Sequence, residues 1–191
     1  MRFLVVCGCA VLLGLSGCAT APVAQAPAHL NAHPVSAFEL DGRIALRYGR
    51  ESSLANIHWQ HTPARDTLAL STPLGQTVAV LIRDSTGVTL TDSGGHIHTA
   101  SSLEDLTGQL LGWRLPLQDL TYWVAGSAIP QLPYRVNTDS ATGMIELAQS
   151  DWLVTYKRWT MAEGKELPDN LVVSGAGVTV HLIVGEWLQA R

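Results

Sequence analysis

Cys18 is the residue best placed for chemistry. Leu15-Ser16-Gly17 stand directly before it, so a thiol follows two small residues at the end of an apolar run. That run, Phe3 to Leu15, is roughly 13 residues long, with Arg2 as the one early cation. A membrane-crossing helix needs about 20 apolar residues, whereas this length suits the central part of a secretory leader. The spacing therefore predicts a lipoprotein signal peptide over residues 1–17, cut before Cys18, in the pattern of a bacterial lipobox. The new N-terminal cysteine then receives lipid. One acyl chain holds a protein reversibly, while several hold it firmly, at about 0.8 kcal/mol per buried methylene.

Other reactive constellations are weak. Cys7 and Cys9 fall inside the leader, so no disulfide and no thiolate metal site can form within one mature chain. There are seven histidines, and His96 and His98 share a strand face, but no HExxH pattern or carboxylate triad accompanies them. Solvated strand faces account for them, and no metal is expected. The chain has no glycine-rich loop ending in Lys-Ser/Thr and no Gly-x-Ser-x-Gly elbow. No catalytic residue and no cofactor is predicted, and the protein reads as a non-enzyme. Twelve basic against 16 acidic residues give a net charge of −4, and loss of Arg2 with the leader leaves −5. A mildly acidic chain argues against nucleic acid and against electrostatic docking on anionic lipid.

Residues 18–36 read as a lipidated N-terminus followed by a flexible linker, with Pro22, Pro27 and Pro34 among alanines. Residues 37–191 form the folded domain, of a size that suits one core. From Phe38 the pattern alternates: Phe38, Leu40, Ile44, Leu46 and Tyr48 share one face, with Gly42 at a bend or bulge. Strands follow around Ala55 to Trp59, Thr67 to Ser71 and Gln76 to Arg83, the last two joined by a turn at Pro73-Leu74-Gly75. A hairpin turns at Asp92-Ser93-Gly94-Gly95. The period then becomes helical. Ser101 as N-cap with Glu104 makes a capping box ahead of Leu103, Leu106, Leu110 and Leu111, and Gly112 ends that helix. Pro116 opens a second helix that Gly126 stops. Strands resume over Met144 to Ala148, Trp152 to Trp159, Leu171 to Ser174 and Val178 to Trp187. Many antiparallel strands around two mid-chain helices predict a mainly β fold. The expected form is an open, unclosed antiparallel β-barrel enclosing a hydrophobic cavity, with the helices as lid. Six tryptophans supply wide apolar walls. Candidate acyl-chain cavity residues are Ile44, Leu46, Val78, Val80, Ile82, Leu106, Leu110, Leu120 and Trp123. Alternation alone leaves open which strand face lines the cavity.

A family becomes visible in pieces ordered along the domain. They are Phe38 with Gly42-Arg43-Ile44, Trp59-Gln60, Pro73-Leu74-Gly75, and Leu115-Pro116 with Leu120. Then come Trp123-Val124-Ala125-Gly126, Trp152-Leu153-Val154-Thr155-Tyr156, Leu167-Pro168, and a closing strand ending at Trp187. With the lipobox and the length, the chain resembles the LolB family of outer-membrane lipoprotein receptors. The resemblance implies a monomer tied to outer-membrane lipid through Cys18, and Ala19 rather than Asp after the cysteine agrees with outer-membrane sorting. It implies that acylated lipoprotein cargo is taken from the periplasmic carrier LolA and inserted into the outer membrane without ATP. It further implies a role for Leu74, between Pro73 and Gly75, on a protruding membrane-insertion loop. Leu74 has its own rationale, since an apolar side chain in a tight turn has little to pack on. Two other readings stay open: a LolA-like carrier, and an envelope-assembly lipoprotein whose apolar groove binds a protein partner.

Overall fold

A computed structural model describes residues 30–31 and 35–191. These residues form eleven strands and two helices. The strands are β1 (Phe38–Tyr48), β2 (Glu51–Thr62), β3 (Arg65–Ser71), β4 (Thr77–Asp84), β5 (Gly87–Asp92), β6 (Ile97–Ala100), β7 (Tyr134–Thr138), β8 (Ile145–Gln149), β9 (Trp152–Ala162), β10 (Lys165–Gly175) and β11 (Val178–Ala190). The helices α1 (Leu103–Leu111) and α2 (Leu117–Val124) separate β6 from β7. All strands join one antiparallel sheet in the order β6-β5-β4-β3-β2-β1-β11-β10-β9-β8-β7, and the first and last do not pair. The barrel is therefore open, with both free edges next to the helices in sequence.

The sheet must curl. Ten interstrand steps at about 4.8 Å would make a flat sheet nearly 50 Å wide. Yet α1 packs on β6 at one edge, Trp113 reaches Tyr48 of β1 in the middle, and Trp123 of α2 reaches Gln149 and Trp152 near the other edge. Two short helices and the link between them touch all three places only if the sheet wraps round them. One face of every long strand thus becomes concave. Phe38 and Leu40, Ile57 and Trp59, Leu171 and Val173, and Val178 to Val184 at alternate positions are buried there with Leu103, Leu106, Leu117, Leu120, Trp123 and Val124. Each such side chain contributes about 1.5–3 kcal/mol by leaving water.

The bulge falls at Gly42, where the β1–β11 register slips between Asp41 and Gly42. A Cβ there would lie 2.5 Å from the Ile183 carbonyl oxygen, so the position demands glycine. The first helix is capped one residue later than the sequence predicts. Ser102 accepts from the Asp105 N–H, and Ser101 instead donates its hydroxyl to the Asp105 carboxylate at 2.7 Å. Gly112, at φ +77°, closes this helix. Strand β7 has no counterpart among the expected strands: its five residues are polar or exposed apart from Val136, because it is a sheet edge.

Antiparallel alternation sorts the turns. Residues 49–50, 72–76, 93–96 and 176–177 lie at one end of the sheet, and residues 63–64, 85–86 and 163–164 at the other. The second end also holds the junction of Ser36 and Ala37 with Arg191, where both backbone amides donate to the Arg191 carbonyl. We call them the loop end and the base.

Candidate functional site

At the loop end, Thr72 and Gln76 clamp the five-residue loop between β3 and β4. The Gln76 carbonyl accepts the Thr72 N–H at 2.8 Å, and the Thr72 carbonyl accepts the Gly75 N–H at 2.9 Å. Gly75 sits at φ +86°, a left-handed geometry that glycine adopts without strain. The clamp leaves Leu74 no neighbour to fold onto, and it is 91 % exposed. Removing about this much leucine surface from water is worth roughly 1.5–3 kcal/mol, so the loop holds an unsatisfied apolar side chain at its tip.

Behind the loop, the concave face is apolar and only half covered. Ile44 and Leu46 of β1 and Leu70 of β3 are half-buried against the core, and Tyr48 at the rim lies 6.0 Å from Trp113, centroid to centroid. The α1 helix ends here with Leu110 and Leu111 exposed. Deeper in, the helices close the space. Trp123 is fully buried, its indole N–H donating to Gln149 Oε1 at 3.1 Å and its carbonyl accepting from the Tyr156 hydroxyl at 2.9 Å. Gln149 also accepts from the Ile129 N–H and donates to the carbonyls of Ile129 and Leu132. Burial pushes the Tyr156 phenol far above its ordinary range, so it acts as a fixed donor.

Toward the base the same face turns polar. Asp66 is buried and stands opposite His61 and Arg83 in the register. Its Oδ1 accepts from Trp59 Nε1 at 3.0 Å and lies 2.7 Å from His61 Nδ1, while Oδ2 accepts from Arg83 Nε at 2.7 Å. Burial alone would raise the Asp66 pKa, but hydrogen bonds from His61, Trp59 and Arg83 together hold it below 3.8. A cavity of about 490 Å³ opens here between the sheet and α2, lined by His61, Arg83, Gln118, Thr121 and Tyr122 among others.

The nine cavity candidates divide. Ile44 and Leu46 lie on the concave face, and Leu106, Leu120 and Trp123 pack beneath it from the helices. Leu110 does not: it is 44 % exposed at the end of α1. Val78, Val80 and Ile82 point the other way. Leu81 stands between Leu68 and Leu90 and is buried, whereas Ile82 stands between Thr67 and Thr89, and Val78 is on the surface. Pairing parity sets this, and with both faces of β4 apolar the alternation had no means of choosing. The 490 Å³ cavity is bordered by none of the nine. His96 and His98 share Asp92, whose carboxylate is drawn down to about 2, chiefly by the His96 backbone N–H. Among the described residues no group of three or more histidine, cysteine, aspartate or glutamate side chains is arranged for a metal. Cys18, the expected leader over residues 1–17 and most of the 18–36 segment lie outside the described residues.

The chain matches the family described as "Outer membrane lipoprotein LolB" over residues 36–187. The chain belongs to the LolB family. It is 32% identical over 173 residues to the outer-membrane lipoprotein LolB of Chromobacterium violaceum, covering 91% of this chain and 92% of that one. It is 38% identical over 152 residues to that of Nitrosomonas europaea, covering 78% and 72%. The fold is also that of a Vibrio parahaemolyticus domain named as an outer membrane lipoprotein-sorting protein. The TM-score is 0.51 at 11% identity, over 82% of this chain and 86% of that one. As a LolB-family member the protein is an outer-membrane lipoprotein with a role in lipoprotein localisation.

Proposed function

We propose that this protein accepts acylated lipoproteins from the periplasmic carrier LolA and inserts them into the outer membrane. Membership of the LolB family supports the reading, and the observation that carries it is Leu74, 91 % exposed at the tip of a clamped loop. Lipid on Cys18 holds the domain, residues 37–191, to the membrane as a monomer, after removal of residues 1–17. An acyl chain leaving the carrier meets the half-open apolar surface of Ile44, Leu46, Leu70 and Tyr48. Leu106, Leu120 and Trp123 lie beneath it, and a deeper seat requires the helices to move off the sheet. No nucleotide is consumed. Each methylene gained from water or from a shallower site is worth about 0.8 kcal/mol, so a few more buried methylenes than in the carrier give transfer its direction. Leu74, flanked by Pro73 and Gly75, then enters the bilayer and opens a path for the chains.

The test is transfer of a radiolabelled lipoprotein from its carrier to the purified chain beginning at Ala19, followed by addition of vesicles. Wild type takes the cargo and delivers it. Leu74→Glu takes the cargo and fails to deliver it. If wild type takes no cargo, the receptor reading is overturned.

A further inference from the structure

The convex face of the sheet carries a second apolar surface at the loop end. Leu54 is 62 %, Ile97 68 % and Val78 40 % exposed. The register puts all three outside: Leu54 opposes Ala45 of β1, Ile97 stands in a row with Thr91 and Val80, and Val78 is two residues from Val80 toward the loop. They surround the loop of Leu74. Asn56 Nδ2 donates to the Thr72 carbonyl at 3.1 Å, which ties β2 to that loop two residues from Leu54.

Three cations flank Leu54 on the β1 side of this surface. Arg43 and Arg47 lie two residues on either side of Ala45 on the same face of β1, and Arg50 is in the turn that follows. All three are exposed, and no carboxylate pairs with any of them among the described residues. Of the acidic groups nearby, Asp41 is 2.7 Å from His58 Nδ1, Glu186 lines a shallow pocket together with Asp41 and Arg43, and Glu51 is exposed beside Arg50. The net charge of −4 thus conceals a basic corner.

Building on the receptor reading, we propose that this corner rests on a bilayer containing anionic phospholipid. Leu54, Val78 and Ile97 enter the interface beside Leu74, and Arg43, Arg47 and Arg50 bind headgroup phosphates. Guanidinium groups match phosphate oxygens in a bidentate fork, and aliphatic side chains among them suit the headgroup–acyl boundary. A second copy of this chain is a poor occupant, because a two-fold contact would set the arginines against one another.

Among the described residues every buried core residue lies between Leu30 and Ala190, and a chain starting at Ala19 keeps all of them. We would float this unacylated chain with phosphatidylcholine vesicles, with and without phosphatidylglycerol. The expected result is binding to the anionic vesicles that falls as salt rises. The combined Arg43→Gln, Arg47→Gln and Arg50→Gln variant should lose about 10- to 100-fold in affinity for them. Leu54→Ser with Val78→Ser should weaken binding without changing its salt dependence. Equal binding to both vesicle types, or unchanged binding by the arginine variant, overturns the proposal. So does an arginine variant that binds vesicles normally but no longer binds the carrier. Cargo acceptance without vesicles is measured in parallel: its failure in wild type strikes the receptor reading, whereas its retention by the arginine variant separates the two.

Discussion

Trp59 donates its indole N–H to Oδ1 of Asp66 at 3.0 Å on the concave side of the β2–β3 hairpin. The same carboxylate holds Arg83 and His61, so three side chains from the two neighbouring strands, β2 and β4, depend on one buried charge. Asp66→Ala leaves the Arg83 guanidinium, 18 % exposed, without its carboxylate partner and with only the Pro63 and Thr62 carbonyls to donate to. We expect a loss of about 3–5 kcal/mol in urea unfolding.

The same group makes stability depend on pH. Its folded pKa lies below the ordinary value of 3.8, so its contribution is complete above that value and is lost as pH falls through the folded pKa. Wild type should therefore lose stability on acidification below about pH 4, and Asp66→Asn should lose less over the same interval. Unfolding midpoints measured from pH 6 downward check this, and parallel curves for the two proteins would refute it.

Gln149 makes four hydrogen bonds that fasten the segment after α2 to β8. Gln149→Leu strands buried polar groups of Trp123 and Ile129 and should cost about 2–4 kcal/mol. Hydrogen exchange at the Ile129 amide should rise more than at amides of β1, because the lost bonds are local to this segment.

Gly126 has φ +76°, and a Cβ there would meet Trp159 ring carbons at 2.6 and 2.8 Å. Gly126→Ala adds backbone strain to that overlap and should lower stability by about 1–3 kcal/mol. Gly75→Ala, with a similar φ but open space around it, should cost less, which thermal unfolding of the pair resolves.

Leu74→Glu changes a side chain that packs on nothing. Its unfolding free energy should stay within about 0.5 kcal/mol of wild type. A delivery defect in that variant is then a property of the loop and not of the fold.

Much of this architecture is written in alternation. Phe38, Leu40, Ile44 and Leu46 declare the concave face because Glu39, Asp41, Arg43 and Arg47 fall on the other, and Gly42 marks the bulge. Where both faces are apolar, as in Val78 to Ile82, the pattern is silent and the neighbours Leu68 and Leu90 decide. Tyr134–Thr138 lacks a hydrophobic face since one of its edges is free, so nothing in composition marks it as a strand. The Asp66 cluster leaves only a faint trace in the sequence: Asp66 shares parity with the inward Leu68 and Leu70, and Arg83 with Leu81. A carboxylate and a guanidinium in core register on adjacent strands imply a buried pair.

Asn31 is pinned at the base. Its N–H donates to the Gly126 carbonyl and its side chain to that of Ala125, while Leu74 stands at the opposite end of the sheet. The eleven residues of β1 alone span roughly 35 Å. Between Cys18 and Leu30 there are twelve residue steps, at most about 40 Å of chain. With the proposed lipid on Cys18 and Leu74 dipped into the same leaflet, the domain hangs head-down and a leash of at most about 40 Å has to bridge roughly the height of the sheet. The leash length becomes a ruler: removing four or five residues from it lifts the fingertip off the membrane while the hand can still take hold of cargo.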